Sequence, residues 1–111
     1  MIITQNDTFT ILKDEEDGVK DFASFLEFII PKAYSDVNLV IDLLKYENIS
    51  LEELLSFLHI SNTQRATQRS FVLVNKVPQI DRVPEELMVV PTLEEAKDVI
   101  DLEEIQRDLG F

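Results

Sequence analysis

The side chains best equipped for chemistry are few in this chain and widely spaced. His59 is the only histidine and cysteine is absent. Nucleophilic catalysis of the Ser-His-Asp kind needs a partnered imidazole, and a zinc site needs several imidazole or thiolate ligands. A lone histidine beside Leu51, Leu54 and Leu58 instead reads as a partly exposed helical residue. Gly18 and Gly110 are the only glycines, which excludes a glycine-rich phosphate cradle. Asp42 with Glu47 or Glu52 could form a general acid–base pair, and a carboxylate-based hydrolase would need two such acids close together in a deep pocket with raised pKa values. With 22 acidic residues present, however, chance pairs are guaranteed, and solvated or capping roles are the ordinary reading. Arg65, Arg69, Lys76 and Arg82 form the nearest thing to a basic patch. The only aromatic interleaved among them is Phe71, a strand residue, so they suit an acidic partner or internal pairing better than nucleic acid. Ser61, Thr63, Thr67 and Ser70 offer hydroxyls for modification. The sequence predicts neither an enzyme nor a bound metal or cofactor.

The elements that would position these groups belong to one domain. A chain of 111 residues, 45% of them hydrophobic, is long enough to bury one core and too short for two. A formal charge of −12 repels phosphate backbones and anionic headgroups, so nucleic acid and membrane surfaces are poor partners and a basic protein surface a better one. The start, Met-Ile-Ile-Thr-Gln-Asn-Asp, has no basic leader, and no apolar run approaches a membrane span. A cytoplasmic location is expected, consistent with the lack of cysteine.

Met1–Thr4 and Thr8–Leu12 read as a hairpin or as two consecutive edge strands around a Gln-Asn-Asp turn. Asp14-Glu15-Glu16-Asp17 places negative charge at a helix entrance. From Val19 to about Ala33 an apolar stripe of Val19, Phe22, Ala23, Leu26, Ile29, Ile30 and Ala33 predicts a core-facing helix, its end blurred by Pro31. Phe28 lies nearly opposite the stripe and is a candidate exposed contact. Asn38–Leu44 is almost continuously apolar and predicts a mid-sheet strand with Asp42 inside it. Ser50 and Glu53 have the spacing of a capping box opening a helix with a Leu51, Leu54, Leu55, Leu58 stripe. Ser61–Ser70 has one apolar member, Ala66, and reads as a polar helix extension or a loop with little to anchor a core. Phe71–Val74 is a second central strand, followed by an irregular stretch around Pro78 and a helical turn over Val83–Leu87. Met88–Val90 is the last strand. Thr92 and Glu95 repeat the capping pattern before Leu93, Ala96 and Ile100. The next apolar set, Leu102, Ile105 and Leu109, falls on the opposite side of the helical wheel. That predicts a break or bend near Asp101, a final segment packed on something other than the domain's own sheet, or a straight helix between two apolar surfaces.

The expected architecture is therefore α/β, a mixed sheet of four to five strands covered by about four helices. This order resembles the STAS domain, the fold of bacterial anti-sigma factor antagonists and of sulfate-transporter tails. The likeness rests on Val40-Ile41-Asp42-Leu43, on Ile49-Ser50-Leu51-Glu52 at the position of the family's phosphorylation loop, on Phe71-Val72-Leu73-Val74-Asn75, and on Pro91-Thr92-Leu93-Glu94-Glu95-Ala96. It implies a regulatory protein-binding module whose partner, a regulatory kinase or an anti-sigma-like protein, meets the loop at 48–53. The family's Asp-Ser-Ser-Gly is replaced by Ser50-Leu51-Glu52-Glu53, which aligns Glu52 with the usual phosphoacceptor. A carboxylate there carries about one negative charge where a phosphate carries nearly two. Two readings follow: a binding module with permanent charge at Glu52, or a simple cap at Ser50 with the interaction surface elsewhere. The expected partner-binding residues are Asn48, Ser50, Leu51, Glu52 and Phe28. A receiver-like phosphoacceptor domain is the alternative, with Asp42, Asp14, Glu15 and Lys76 in the acidic and lysine positions.

Overall fold

The computed structural model describes residues 1–77 and 80–110. Five strands lie in the order β1-β2-β3-β4-β5: β1 (Ile2–Gln5), β2 (Phe9–Lys13), β3 (Asn38–Asp42), β4 (Phe71–Val74) and β5 (Met88–Val90). Four helical segments accompany them: α1 (Val19–Ala33), α2 (Leu51–Leu55), α3 (Leu58–Ala66) and α4 (Leu93–Asp108). The α/β architecture expected from the element order is thus present. β1 pairs antiparallel with β2, Ile3 opposite Leu12, and Asn6 Oδ1 holds the turn by accepting from the amides of Thr8 and Phe9 at 2.9 and 2.8 Å. The remaining pairs are parallel. This order differs from the 2-1-3-4-5 order of receiver-like domains, so the topology departs from the alternative reading.

From β2 to β5 the chain steps one strand at a time in one direction. Right-handed crossovers then pass over the same face of the sheet each time. That face holds the larger core: Leu12, Leu39, Ile41, Phe71, Leu73 and Val89 from the strands meet α1, α2 and α3. α4, after β5, crosses the other face, where Ala96 and Ile100 pack on Phe9, Val40, Val72 and Val74.

α1 runs to Ala33 as the stripe predicted, past Pro31: a proline in the last turn forfeits one backbone bond, and Tyr34 N–H still caps Ile30 C=O at 2.8 Å. Several other local expectations need correction. Within the expected stripe Ile29 is half-buried and Ala33 exposed. β3 stops at Asp42, not Leu44, because the Asp42 carboxylate accepts from Leu44 N–H at 3.0 Å and turns the chain; Asp42 is therefore the last strand residue. The α2–α3 stripe is Leu54, Phe57 and Ile60 instead of Leu51, Leu54, Leu55 and Leu58. Ser56 and Phe57 bond three residues back, to Glu53 and Leu54, and this tighter turn shifts the helical phase. Val83–Leu87 holds a hydrogen-bonded turn, Leu87 N–H to Pro84 C=O at 3.0 Å, while a 3-10 turn lies earlier at Ile80–Arg82. The irregular stretch expected around Pro78 falls, at Pro78 and Gln79, outside the described residues.

The polar stretch Ser61–Ser70 does anchor the core, through hydrogen bonds in place of apolar contact. Gln64, wholly buried, donates its amide to the carbonyls of Tyr34 and Val37 at 2.8 and 2.6 Å, and Ser61 Oγ donates to Glu86 C=O at 3.0 Å. Ser61 and Ser70 are buried, which removes them as accessible hydroxyls; Thr63 and Thr67 stay exposed.

α4 runs unbroken through Asp101, from Leu93 to Asp108. Its inward face changes character there: after Ala96 and Ile100, the same side continues as Glu103, Glu104 and Arg107. Glu104 accepts from Asn38 Nδ2 at 2.6 Å, Glu103 from Ser70 Oγ at 2.6 Å and from Arg65 at 3.2 Å, while Arg107 donates to Ser70 Oγ at 3.1 Å. A polar network at the N-terminal ends of β3 and β4 thus replaces the apolar contact that a second stripe would have made. Leu102, Ile105 and Leu109 consequently face solvent, as does Leu93 at the other end of the helix.

Candidate functional site

The junction between β3 and α2 lies at the C-terminal ends of parallel strands, where α/β sheets commonly present their ligand-contacting loops. Three sets of bonds hold it. Asn75, buried just after β4, donates its amide to the carbonyls of Leu43 and Tyr46, both at 2.8 Å. The Tyr46 hydroxyl reaches the β2–α1 loop, donating to Asp14 Oδ2 and accepting from Gly18 N–H at 3.2 Å. Lys45 pairs with Asp17 at 3.2 Å. Removal from water, and then the Asp14 carboxylate, which stabilises the protonated hydroxyl and would oppose a phenolate, push the Tyr46 pKa up to about 12. The acid run 14–17 therefore does more than complement a helix end: Asp14 is buried and clamps both Tyr46 and the Glu16 amide.

Beyond this anchor, Ile49 inserts into the core and Ser50 opens α2 through a full capping box. Ser50 Oγ accepts from Glu53 N–H at 3.1 Å and Glu53 Oε1 accepts from Ser50 N–H at 2.9 Å, as the spacing predicted. Asn48, Ser50 and Glu52 are exposed and Leu51 is half-buried. Glu52 projects from the first turn of α2 with its side chain 80% exposed and meets Lys20 of α1 at 2.7 Å. The Lys20 ammonium holds the Glu52 carboxyl below the usual range, and the carboxylate holds Lys20 above its own. The pair was not visible in the sequence, since 32 positions separate its members.

Phe28 is exposed, 60% of its surface open, with the Lys32 ammonium 4.0 Å from its ring centre. It does not join the loop at 48–53. Lys20 marks the end of α1 that meets α2, and Phe28 lies eight residues further along, about 12 Å down the helix axis at 1.5 Å per residue. Phe25, one turn before it and also exposed, is its aromatic neighbour.

Among the described residues no three His, Asp or Glu side chains converge as metal ligands would. His59 is exposed on α3. Glu104, like Glu52, has its carboxyl pulled down, by the Asn38 hydrogen bond first and by Arg107 next; a general acid requires the opposite shift. No described helix is long and apolar enough to cross a membrane. Of the residues that bind the molecule together, Asn38, Gln64 and Asn75 were absent from the sequence-derived candidates and Ser70 entered only as a modifiable hydroxyl; for Asn38, Ser70 and Asn75 a single polar residue in or beside an apolar strand was the available signal. The chain matches no family model and no curated protein.

Proposed function

We propose that this chain is a non-enzymatic regulatory module, similar to an anti-sigma factor antagonist of the STAS type, that binds a partner protein through Asn48, Ser50, Leu51 and Glu52. The observation that carries this reading is the ionised Glu52 carboxylate, held outward at the first turn of a doubly capped helix on a loop pinned by Asn75 and Tyr46. A rigid loop loses little conformational entropy on binding, which favours recognition. Its permanent charge stands where the resembled family adds phosphate, so binding here needs no kinase step to switch it on. A partner that presents an arginine or lysine would exchange with Lys20 for the carboxylate. Phe28 adds a second contact for a partner that extends along α1.

The test is affinity capture from the native cytoplasm, with affinities then measured for purified partner and three variants. Glu52→Gln should weaken binding about tenfold, the loss of one charge-assisted hydrogen bond. Asn48→Ala should weaken it less, and Glu85→Gln, on a remote exposed turn, should leave it unchanged. Equal affinity for Glu52→Gln and the parent protein overturns the assignment to this loop.

A further inference from the structure

Asn75 is 3% exposed, and only one end of its carboxamide is used. Nδ2 donates to the carbonyls of Leu43 and Tyr46, and because two carbonyls accept only from an NH2 group, these partners fix the orientation of the amide. Oδ1 is thus an acceptor, and among the described residues it is the buried side-chain atom left without a hydrogen bond. Buried acceptors are almost always paired, so this one calls for a donor.

Leu43 and Tyr46 both follow β3, which directs the oxygen end of the carboxamide away from that loop. On that side a cleft of about 740 Å³, which Asn75 borders, opens beyond the C-terminal ends of β3, β4 and β5, between the loop and the start of α4. The groups around it have their own partners. Pro91 has no N–H, the Tyr46 hydroxyl is spent on Asp14, and the Thr92 hydroxyl donates to Glu95 Oε2 at 3.0 Å. Lys76 is exposed and forms no ion pair among the described residues, which leaves its ammonium available to a ligand. Leu44 and Leu93, 37% and 36% exposed, join Pro91 in giving the cleft apolar walls.

We propose that this cleft binds a small uncharged molecule with a lactam or imide edge, an N–H beside a C=O. The N–H donates to Asn75 Oδ1, the C=O accepts from the Lys76 ammonium, and the apolar remainder lies against Leu44, Pro91 and Leu93. The charges around the cleft call for neutrality. Lys76 and the positive end of α4 stand against the Glu47 and Glu94 carboxylates, so a cation and an anion would each meet a like charge. Oδ1 has almost no contact with solvent, so entry turns Leu44 or Leu93, both at the surface, to another rotamer. The cleft reaches Glu47 but none of Asn48, Ser50, Leu51 or Glu52, and its ligand is a small molecule in place of a protein, so this test and the one above fail independently.

The probe is a benzyl-substituted uracil, whose N–H groups flank carbonyls, compared with its N,N′-dimethyl derivative, which keeps the carbonyls and lacks both donors. Titration of the intact chain should move the amide resonances of residues 44–47, 75–76 and 92–95. The Asn75 side-chain carbonyl carbon should move downfield as its oxygen gains a hydrogen bond. Methylation should weaken binding about tenfold, the loss of one hydrogen bond. Lys76→Met, at an exposed position that spares the fold, should weaken it severalfold with Tm unchanged. Equal binding of the dimethyl derivative, shifts confined to other surfaces, an unmoved Asn75 carbonyl or unchanged affinity of Lys76→Met would each overturn the proposal. Failure of the uracil to bind at its solubility limit overturns it too and assigns Oδ1 to a buried water.

Discussion

Asn38 Nδ2 donates to Glu104 Oε1 at 2.6 Å, joining residues 66 positions apart. The same carboxamide donates to Thr8 C=O at 3.0 Å and accepts from Ser70 N–H at 2.8 Å, so one buried side chain ties β3, the approaches to β2 and β4, and α4 together. This contact fixes the rotation of α4 about its axis, turning Glu104 and Arg107 inward and therefore Ile105 outward.

Asn38→Ala removes all of these bonds and leaves buried groups unpaired. Such orphaned groups cost about 1–3 kcal/mol each, so a loss of about 2–4 kcal/mol of unfolding free energy is expected. Urea denaturation checks it, with a drop in Tm of roughly 4 °C per kcal/mol.

Acid stability depends on Glu104. Its carboxyl pKa is depressed in the folded state by Asn38 and Arg107, below the ordinary 4.5. A group with a lowered folded pKa contributes stability that is present above its unfolded value and is lost as pH falls through the folded one. Unfolding free energy should decline below about pH 4.5, and Glu104→Gln should flatten that part of the curve.

Tyr46 acts at the other end of the scale. Its pKa is raised from 10.0 to about 12, so the protonated hydroxyl favours the folded state; that contribution is complete below pH 10 and is lost as pH rises toward 12. In a Tyr34→Phe background, ultraviolet titration of the remaining phenol should have its midpoint near 12. Tyr46→Phe should cost about 1–2 kcal/mol at neutral pH by freeing Asp14 and the Gly18 amide.

Gln64→Leu tests the anchoring role of the polar stretch. The volume is nearly retained, but the Tyr34 and Val37 carbonyls lose their donor. A loss of about 1–3 kcal/mol is expected, against less than about 0.5 kcal/mol for the neighbouring exposed Thr63→Ala, both by urea denaturation.

Much of the architecture was written locally. The hairpin, the limits of α1, the central strands, β5 and both capped helix starts follow from short-range features: β-branched runs, helical periodicity, and Ser50–Glu53 and Thr92–Glu95 spacing. Neighbouring residues decide these, because their sterics and hydrogen bonds span one turn or one strand. The exposed Asn48, Ser50 and Glu52 were legible for the same reason, lying at a junction that composition and capping defined. The Lys20–Glu52 pair, the clamp of Tyr46 on Asp14 and the phase of α4 were not, since each joins side chains from distant parts of the chain. The course of α4 at Asp101, where the sequence left a break or bend, a separately packed end and a straight helix open, makes the difference concrete. Periodicity assigns apolar residues to the inside, and only the folded sheet, by offering Asn38 and Ser70 as partners for Glu104, Glu103 and Arg107, made the polar side of that helix the buried one.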